Sequence, residues 1–186
     1  EVLMNEKPVR SLEMTKEEYL NTLDELNFAR RFPQHTILDG AGKVILAPSH
    51  PEVIEFVTDT IMEVVDNYDV EGVHIDDYFY PYGGTTNQDA ASVEKYKPAD
   101  MNVGDWRRQN VNMMIKDVYD TIQAVKPWVT FGVSPFGIWT TDSNVARKRG
   151  IRLPSGISGG NMYAEIYCDP VAWLEEGTVD DISPQL

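Results

Sequence analysis

Apolar residues recur with helical spacing in two long stretches of this chain. In the first stretch, spacings of three and four join Val53, Phe56, Val57, Ile61, Val64 and Val65. In the second, the same spacings join Val111, Met114, Ile115, Val118, Ile122 and Val125. Each series predicts an amphipathic helix whose apolar stripe packs on a sheet. We expect the first helix to begin at Pro51 and end near Asn67, and the second to run from a cap at Asp105 to a block at Pro127.

Shorter runs of β-branched and apolar residues between these helices predict strands. The runs lie at Val44–Leu46, at residues 72–77 and at Val129–Val133, and another strand begins in the final run VDDISPQL. The stretch 140–160 is loop-like, and a shorter helix is predicted near Asp169–Glu176. Strands that alternate with helices predict parallel βαβ units with the helices outside the sheet.

This alternation predicts an α/β fold that is part of a (β/α)₈ TIM barrel with parallel strands, containing about four of the eight βα units. Four strands do not close such a barrel, which typically needs about 250 residues. An open sheet is the alternative. Because the chain stops at Leu186 beside a strand that has just begun, and starts without a strand of its own, we favour part of a larger barrel. Its open strand edges predict self-association with another copy.

The boundaries of this partial barrel follow from the polar start of the chain. Segment 1–27 predicts a loop and then a short helix in which Thr15 and Glu18 form a capping box. We therefore assign residues 1–31 to a connecting segment or insertion, and residues 32–186 to the partial barrel.

Composition excludes several classes of partner. The 186 residues carry a formal charge of −14, which repels nucleic acid and anionic lipid surfaces. No run approaches the roughly 20 apolar residues that span a bilayer, so we expect no membrane-spanning segment. The single cysteine, Cys168, excludes an internal disulfide and a multi-cysteine metal site. We predict no cofactor.

The densest group of chemically active residues is GVHIDDYFYP, residues 72–81, which begins with the predicted strand at 72–77 and places two carboxylates at its carboxyl end. Strand alternation places His74, Asp76 and Tyr78 on one face, with Val73, Ile75 and Asp77 on the other. We expect His74 and Asp76 to face the barrel interior near its rim, where catalytic residues of such barrels lie. A carboxylate there suits cleavage of a glycosidic bond, because it stabilises or attacks an oxocarbenium-like centre. Alternatively, the two aspartates cap the following loop and His74 is a core histidine.

Three longer motifs extend this pattern: VEGVHIDDYFYPY, DWRRQNVNMMIKDVYDTIQAVKPWVTFGVSPFGIW and VDDISPQL. In this order they resemble the core motifs of the family 10-like glycosyl hydrolases, over about residues 32–186. The resemblance implies a bacterial envelope protein, periplasmic or on the cell surface, that hydrolyses O-glycosidic bonds of a polysaccharide such as the glycan strands of peptidoglycan. It implies activity of the parent protein, and we expect the segment alone to be inactive.

The resemblance also suggests a role for Asp76. Family barrels are similar to the α-amylase-like retaining enzymes, whose nucleophile ends the fourth strand in a DG-x-x-x-D pattern, and this pattern maps onto EGVHID and Asp76. The sequence departs from it at Glu71, where Asp is usual, and by having no carboxylate in the next strand. Since hydrolysis of this kind needs two carboxyl groups, the general acid must come from elsewhere. The candidates are Asp77, Glu165 in NMYAEIYCDP, and a residue in the missing strands.

Basic and aromatic residues near the predicted rim complete the candidate site. Arg107 and Arg108 open a helix, an unfavourable place for cations, so we expect a specific partner: Asp76 or Asp77, or alternatively Asp105 or an acidic loop. The aromatic residues that follow the strands offer faces for sugar rings, with core packing as the alternative for each. They are Tyr78, Tyr80, Tyr82, Phe136, Trp139 and Tyr163.

Two other classes of function compete with glycoside hydrolysis. A non-catalytic glycan-binding barrel would keep the aromatic rim and lack the acid pair. A metal-dependent hydrolase would use His74, Asp76 and Asp77, but strand alternation separates the two aspartates and the chain has only 3 histidines.

Overall fold

The three main strands form one parallel sheet. The structure is a computed structural model that describes residues 13–38, 42–82 and 88–185. Within these ranges, β3 (Gly72–Asp76), β4 (Thr130–Ser134) and β5 (Asp181–Ile182) lie side by side in the order β3-β4-β5. Both pairings are parallel. The α/β class and the parallel sheet are thus as predicted for this part of the chain.

The first predicted strand has a different partner. Val44–Leu46 forms β2, but β2 pairs antiparallel with β1 (Thr36–Leu38) in a separate two-stranded sheet. The prediction of a fourth parallel strand is therefore wrong for this segment within the described residues. Residues 39–41, between β1 and β2 in the sequence, lie outside the described ranges.

Two long helices cover one face of the parallel sheet. They are α3 (Pro51–Asn67) and α5 (Val103–Val125), close to their predicted bounds. The cap of α5 is Asn102 instead of Asp105, because the Asn102 side chain accepts a hydrogen bond from the backbone of Asp105. An amide oxygen one turn earlier thus satisfies a free N–H group of the helix end.

Contacts between α3 and α5 fix their relative position. The hydroxyl of Thr58 donates to Asp117 at 2.8 Å. At the other end, the ammonium group of Lys126 donates to the backbone oxygens of Val65 and Tyr68, at 2.5 and 3.2 Å. Carbonyl groups at a helix C-terminus lack helical partners and carry partial negative charge, so this cation stabilises the end of α3.

Shorter helices fill the connections. They are α1 (Lys16–Thr22), α2 (Phe28–Arg31), α4 (Ala90–Tyr96), α6 (Ser143–Lys148), α7 (Met162–Glu165) and α8 (Pro170–Glu176). The predicted capping box of α1 is present, with both hydrogen bonds between Thr15 and Glu18. The polar loop predicted at the start of the chain lies mostly outside the described residues. The stretch 140–160, predicted as loop, contains α6, because Asp142 accepts from the Asn144 backbone as an N-cap.

The main core lies between the sheet and the two long helices. Phe131 and Val133 of β4 are fully buried, and Val73 and Ile75 of β3 pack against the same cluster. Fully buried side chains of α5 and α8, including Ile115 and Trp173, meet them from the helix side. The β1–β2 hairpin adds Ile37 and Ile45, with alternate residues of β2 facing the opposite way.

A second cluster joins the hairpin to the start of the described chain. Val44 and Leu46 pack against Tyr19 and Leu20 of α1 and Ala29 of α2. The segment before residue 32 therefore contacts the hairpin directly.

Two further expectations concern surfaces. No described helix is long and apolar enough to cross a membrane. The outer edges of β3 and β5 have no strand partner among the described residues, so self-association through these edges stays a prediction.

Truncation of the α5 face that packs on the sheet should destabilise the protein. Ile115 is fully buried, and Ile115→Ala removes apolar contacts and leaves a cavity, so we expect a loss of about 2–5 kcal/mol in the free energy of unfolding. Val125 lies on the same helix with 49% of its surface exposed, and Val125→Ala should stay within about 0.5 kcal/mol. Urea unfolding of both variants measures this, and equal losses would contradict the assignment of the core.

Candidate active site

Polar side chains occupy the sheet face opposite the helices. The parallel register aligns His74 with Gly132 and Asp181, and Asp76 with Ser134. Paired residues of neighbouring strands point to the same side, so these side chains share one face. His74 and Asp76 are exposed, whereas the alternating apolar residues of β3 are partly buried against the core. The predicted alternation of β3 is therefore confirmed.

Asp76 is held by two hydrogen bonds to the same oxygen. Its Oδ1 atom accepts from the side-chain amide of Gln185 at 2.6 Å and from the backbone N–H of Asp77 at 2.8 Å. The same Gln185 amide donates to the backbone oxygen of Ser134 at 2.7 Å. Oδ2 of Asp76 has no hydrogen-bond partner in the described part of the chain. The carboxylate is thus oriented through one oxygen while the other stays accessible.

Ser134 lies beside Asp76 on this face, and His74 and Asp181 lie one level below. Nε2 of His74 and the hydroxyl of Ser134 share a hydrogen bond. The carboxylate of Asp181 lies over Gly132 of the neighbouring strand β4. A Cβ atom placed on Gly132 would come within 2.3 Å of Asp181 Oδ2. Because Gly132 lies between His74 and Asp181 in the register, the missing side chain gives the Asp181 carboxylate room to lean towards β3.

Asp77 lies on the opposite side, inside the protein. Its side chain is fully buried, and its Oδ1 accepts from the hydroxyl of Tyr82 at 2.5 Å. Oδ2 is buried without a partner among the described residues. Burial raises the pKa of this carboxyl above its ordinary value, although the Tyr82 hydroxyl opposes the shift by stabilising the ionised form. The Asp77 side chain is therefore withdrawn into the protein, although its carboxyl still interacts with that of Asp76.

Glu165 closes a turn of α7. Its Oε1 accepts from the backbone N–H of Asn161 at 2.9 Å, and the Asn161 side chain accepts from the backbone of Ala164 at 3.1 Å. These reciprocal bonds resemble a capping box, so they stabilise the start of α7. The Glu165 side chain remains exposed at this position.

Arg107 has a buried acidic partner that local sequence did not indicate. Its guanidinium forms two hydrogen bonds with the carboxylate of Asp89, at 2.6 and 2.8 Å, and both side chains are buried. It also donates to the hydroxyl of Tyr167 at 2.7 Å and lies over the rings of Tyr167 and Tyr80. Arg107 therefore fastens the segment before α4 to α5, and it contacts neither Asp76 nor Asp77.

The segment between α7 and α8 is held against this arginine. Tyr167 has a φ of 57°, in the left-handed region that residues with side chains seldom adopt. The next residue, Cys168, is fully buried with its Sγ atom 3.8 Å from the sulfur of Met162. Burial raises the pKa of the Cys168 thiol well above its usual range.

Arg108 pairs with Asp105, which was the alternative to a partner at Asp76 or Asp77. It donates to Asp105 at 2.6 Å and to the backbone oxygen of Tyr163 at 2.8 Å, and its guanidinium lies 3.9 Å from the centre of the Tyr163 ring. The Trp139 ring meets Tyr163 edge-on, with centroids 5.8 Å apart. Arg108 and Tyr163 line a cleft of about 360 Å³ beside α5, and neither His74 nor Asp76 lines it.

The six predicted rim aromatics fall into three places. The rings of Tyr78, Tyr82 and Phe136 form a chain, with centroid distances of 4.6 and 5.4 Å. Tyr163 lines the cleft beside α5, and the Trp139 ring packs edge-on against it. Tyr80 is fully buried against Tyr167, so its expected position on an exposed rim is wrong.

Sequence reasoning missed three residues of this face: Ser134, Asp181 and Gln185. Alternate positions of a strand share a face, so the run from Asp181 to Gln185 carried a usable signal. The parallel bridge between Phe136 and Gln185 extends the pairing of β4 with this end of the chain. The competing metal site of His74, Asp76 and Asp77 does not bring three ligand atoms together among the described residues.

Comparisons with known proteins agree on one family. The family model described as glycosyl hydrolase-like 10 matches residues 28–186. Glycosyl hydrolase YngK of Bacillus subtilis (strain 168) is 40% identical over 170 residues, which cover 90% of this chain and 32% of that protein. Glycosyl hydrolase DigH of Escherichia coli (strain K12) is 37% identical over 174 residues, covering 89% and 38%. The chain thus spans about a third of the length of these curated relatives.

One solved structure is also similar. It is the alpha-galactosidase from Lactobacillus brevis, with a TM-score of 0.38 and 10% sequence identity, over 67% of this chain and 19% of that one.

Loss of the buried ion pair should be costly. Asp89→Asn leaves the Arg107 charge buried without its counter-charge, so we expect the free energy of unfolding to fall by about 3–5 kcal/mol. Lys116 and Asp120 form an exposed pair on the same helix, and Asp120→Asn should cost about 0–1 kcal/mol. Urea unfolding of both variants provides the comparison, and a cost below 1 kcal/mol for Asp89→Asn would contradict the anchoring role.

Ionisation of Asp77 should weaken the fold as the pH rises. The folded-state pKa lies above the ordinary value of 3.8, so the folded state binds more protons between these two values and stability falls as the pH increases through this window. Asp77→Asn cannot ionise, while its amide oxygen still accepts from Tyr82. Wild type should therefore lose stability relative to Asp77→Asn as the pH rises from the ordinary value of 3.8 through the higher folded-state pKa.

Unfolding free energies measured across this pH range test the point. Tyr82→Phe removes the hydroxyl that stabilises the ionised form, so it should enlarge the loss of stability with pH. An identical pH dependence in wild type and Asp77→Asn would show that the carboxyl is not shifted.

Proposed function

Since this chain belongs to the glycosyl hydrolase-like 10 family, we propose that the protein containing it hydrolyses O-glycosidic bonds of a bacterial polysaccharide, with Asp76 at the reacting centre. The observation that carries the proposal is the placement of Asp76. Its carboxylate lies at the carboxyl end of a parallel strand, on the open polar face, with one oxygen bonded and the other without a partner among the described residues. Active sites of parallel α/β folds lie at this end of the strands.

The hydrogen bonds of Asp76 suit a nucleophile or a charge-stabilising carboxylate. Donors from Gln185 and the Asp77 backbone fix the plane of the carboxylate through Oδ1. The accessible Oδ2 then faces the anomeric carbon, where positive charge develops as the glycosidic bond breaks. The oxygen either attacks this carbon or stabilises its charge.

Asp181 is the second carboxyl group that we assign to the reaction. It shares the face of Asp76 and leans across Gly132 towards β3. Asp77 is fully buried, and Glu165 holds the start of α7 through Asn161, so neither is as free to meet a substrate. We assign Asp181 the role of the acid that protonates the leaving oxygen.

Aromatic side chains near this face would hold the sugar. Tyr82 is 40% exposed and its ring contacts those of Tyr78 and Phe136, so the three rings provide an apolar surface at the strand ends. Sugar rings pack their C–H faces on such surfaces. The substrate class that we propose is the glycan strand of peptidoglycan, which places the protein in the bacterial envelope.

Replacement of Asp76 should abolish turnover and spare binding. In the natural protein that contains this sequence, we expect Asp76→Asn to lower kcat by about 10³-fold or more, because the amide neither attacks nor neutralises the transition state. Affinity for isolated glycan strands should change little. The matched control is Asp120→Asn, on the exposed face of α5, which should keep full activity. Release of new reducing ends from purified glycan strands measures kcat.

The outcome separates hydrolysis from a purely binding function. Full turnover by Asp76→Asn would remove Asp76 from the reacting centre. Saturable glycan binding by wild type without product from any glycan would instead support a non-catalytic glycan-binding barrel.

The role of Asp181 has a separate test within the same assay. Asp181→Asn should slow cleavage of natural glycans, whose leaving group needs a proton, far more than cleavage of an aryl glycoside, whose leaving group does not. Equal slowing of both substrates would show that Asp181 is not the acid.

A further inference from the structure

Two histidines meet at the base of the β1–β2 hairpin, away from the candidate active site. His35 ends the short 3₁₀ turn before β1, and His50 is the residue before the first turn of α3. The Ala47 backbone donates to the His35 oxygen at 2.8 Å, which draws the two chain segments together. The imidazole rings lie with their centroids 4.2 Å apart and their planes 32° from parallel.

Both rings carry a nitrogen that lacks a partner. His35 and His50 are 6% and 7% exposed, and the Nδ1 atom of each is buried without a hydrogen bond to any described residue. A buried polar atom without a partner costs about 1–3 kcal/mol, so two of them side by side are unusual in a stable fold. Stacking of the rings does not satisfy either nitrogen.

The other nitrogen of His50 is already occupied. The hydroxyl of Ser92 and Nε2 of His50 are 2.9 Å apart in a buried hydrogen bond. When Ser92 accepts this bond, the ring proton is on Nε2 and Nδ1 presents a lone pair. Histidines that bind metals are oriented in this way by a partner on the second nitrogen.

Glu52 brings a carboxylate to the same place. It lies in the first turn of α3, and its Oε2 atom is 4.0 Å from Nε2 of His35. The same nitrogen is 3.5 Å from the side-chain nitrogen of Gln34, so a metal beside Glu52 would be bound by Nε2 of His35 and not by its Nδ1. One ligand atom from each of His35, His50 and Glu52 lies within 4.8 Å of the other two. Tetrahedral zinc with bonds of about 2.0–2.1 Å separates its ligand atoms by about 3.3 Å. The exposed Glu52 side chain has the freedom to close this difference.

We propose that His35, His50 and Glu52 bind a Zn²⁺ ion, with water in the fourth position. Two imidazoles and one carboxylate form a ligand set that zinc commonly takes. The site would join the turn before β1 to the start of α3 and so brace the hairpin on this helix. It is independent of the glycosidase proposal, because it shares no residue with the face of Asp76.

The protonation state of the histidines supports this assignment. Burial lowers the pKa of His50 to about 4, with a contribution from His35 and an opposing one from Glu52. Burial also lowers the pKa of His35. Both rings are therefore neutral near pH 7, which is the form that coordinates metal. The positive charge of Lys95 also lowers the pKa of both rings.

Zinc titration of the natural protein, after removal of metal with a chelator, tests the site. We expect wild type to bind one equivalent of zinc. His50→Ala and His35→Ala should each weaken the affinity for zinc at least 100-fold. The chain has 3 histidines, so His74→Ala is the matched control and should bind zinc as wild type does. Calorimetry gives the affinity, and Co²⁺ in place of zinc gives the visible spectrum of a tetrahedral site.

Two surface changes keep the test decisive if the histidine variants do not fold. Glu52→Gln should weaken binding at least tenfold, and Lys95→Gln should strengthen it severalfold by removing a nearby positive charge. Ser92→Ala should weaken it by about 10–100-fold, as expected when the partner of a metal-bound histidine is lost. Absence of saturable zinc binding by wild type, or equal affinity in wild type and Glu52→Gln, would overturn the proposal.

Discussion

Each residue of β3 is paired with one residue of β4, and this register decides which side chains reach the helices. Val73 and Ile75 lie beside the fully buried Phe131 and Val133. A shift by one residue would turn Asp76 towards the core, where an ionised carboxylate without a partner costs several kcal/mol. The apolar packing that stabilises the sheet on α3 and α5 therefore also keeps Asp76 on the open face.

The elements that sequence predicts well are those specified by local patterns. The periodicity of α3 and α5, the blocking proline after α5 and the alternation in β3 all act over a few residues, and the structure agrees with them. The same local pattern could not identify the partner of β2. A short apolar strand pairs with whatever edge the chain brings to it, and here that edge is β1 instead of the parallel sheet.

The candidate site shows the same difference between features set by local sequence and features set by long-range contacts. Alternation along β3 located Asp76, but its contact with Gln185 joins residues 109 positions apart, and nothing in either local sequence indicates it. The partner of Arg107 was missed because Asp89 becomes buried only when the segment before α4 folds back on α5. Tyr80 was predicted to lie on the rim because its contact with Tyr167, far along the chain, is not visible in the local sequence. Long-range packing, and not residue type, decides which of these side chains are buried and which lie on the open face.

The burial of Cys168 makes its thiol a probe of local opening in this region. Cys168 lies in the segment that joins α7 to α8, its thiol is fully buried and kept protonated, and it is the one cysteine in the sequence. An alkylating reagent reaches it only when the surrounding structure opens locally. The rate of modification therefore counts those openings in the unaltered protein, and ligands that tighten the region would slow it.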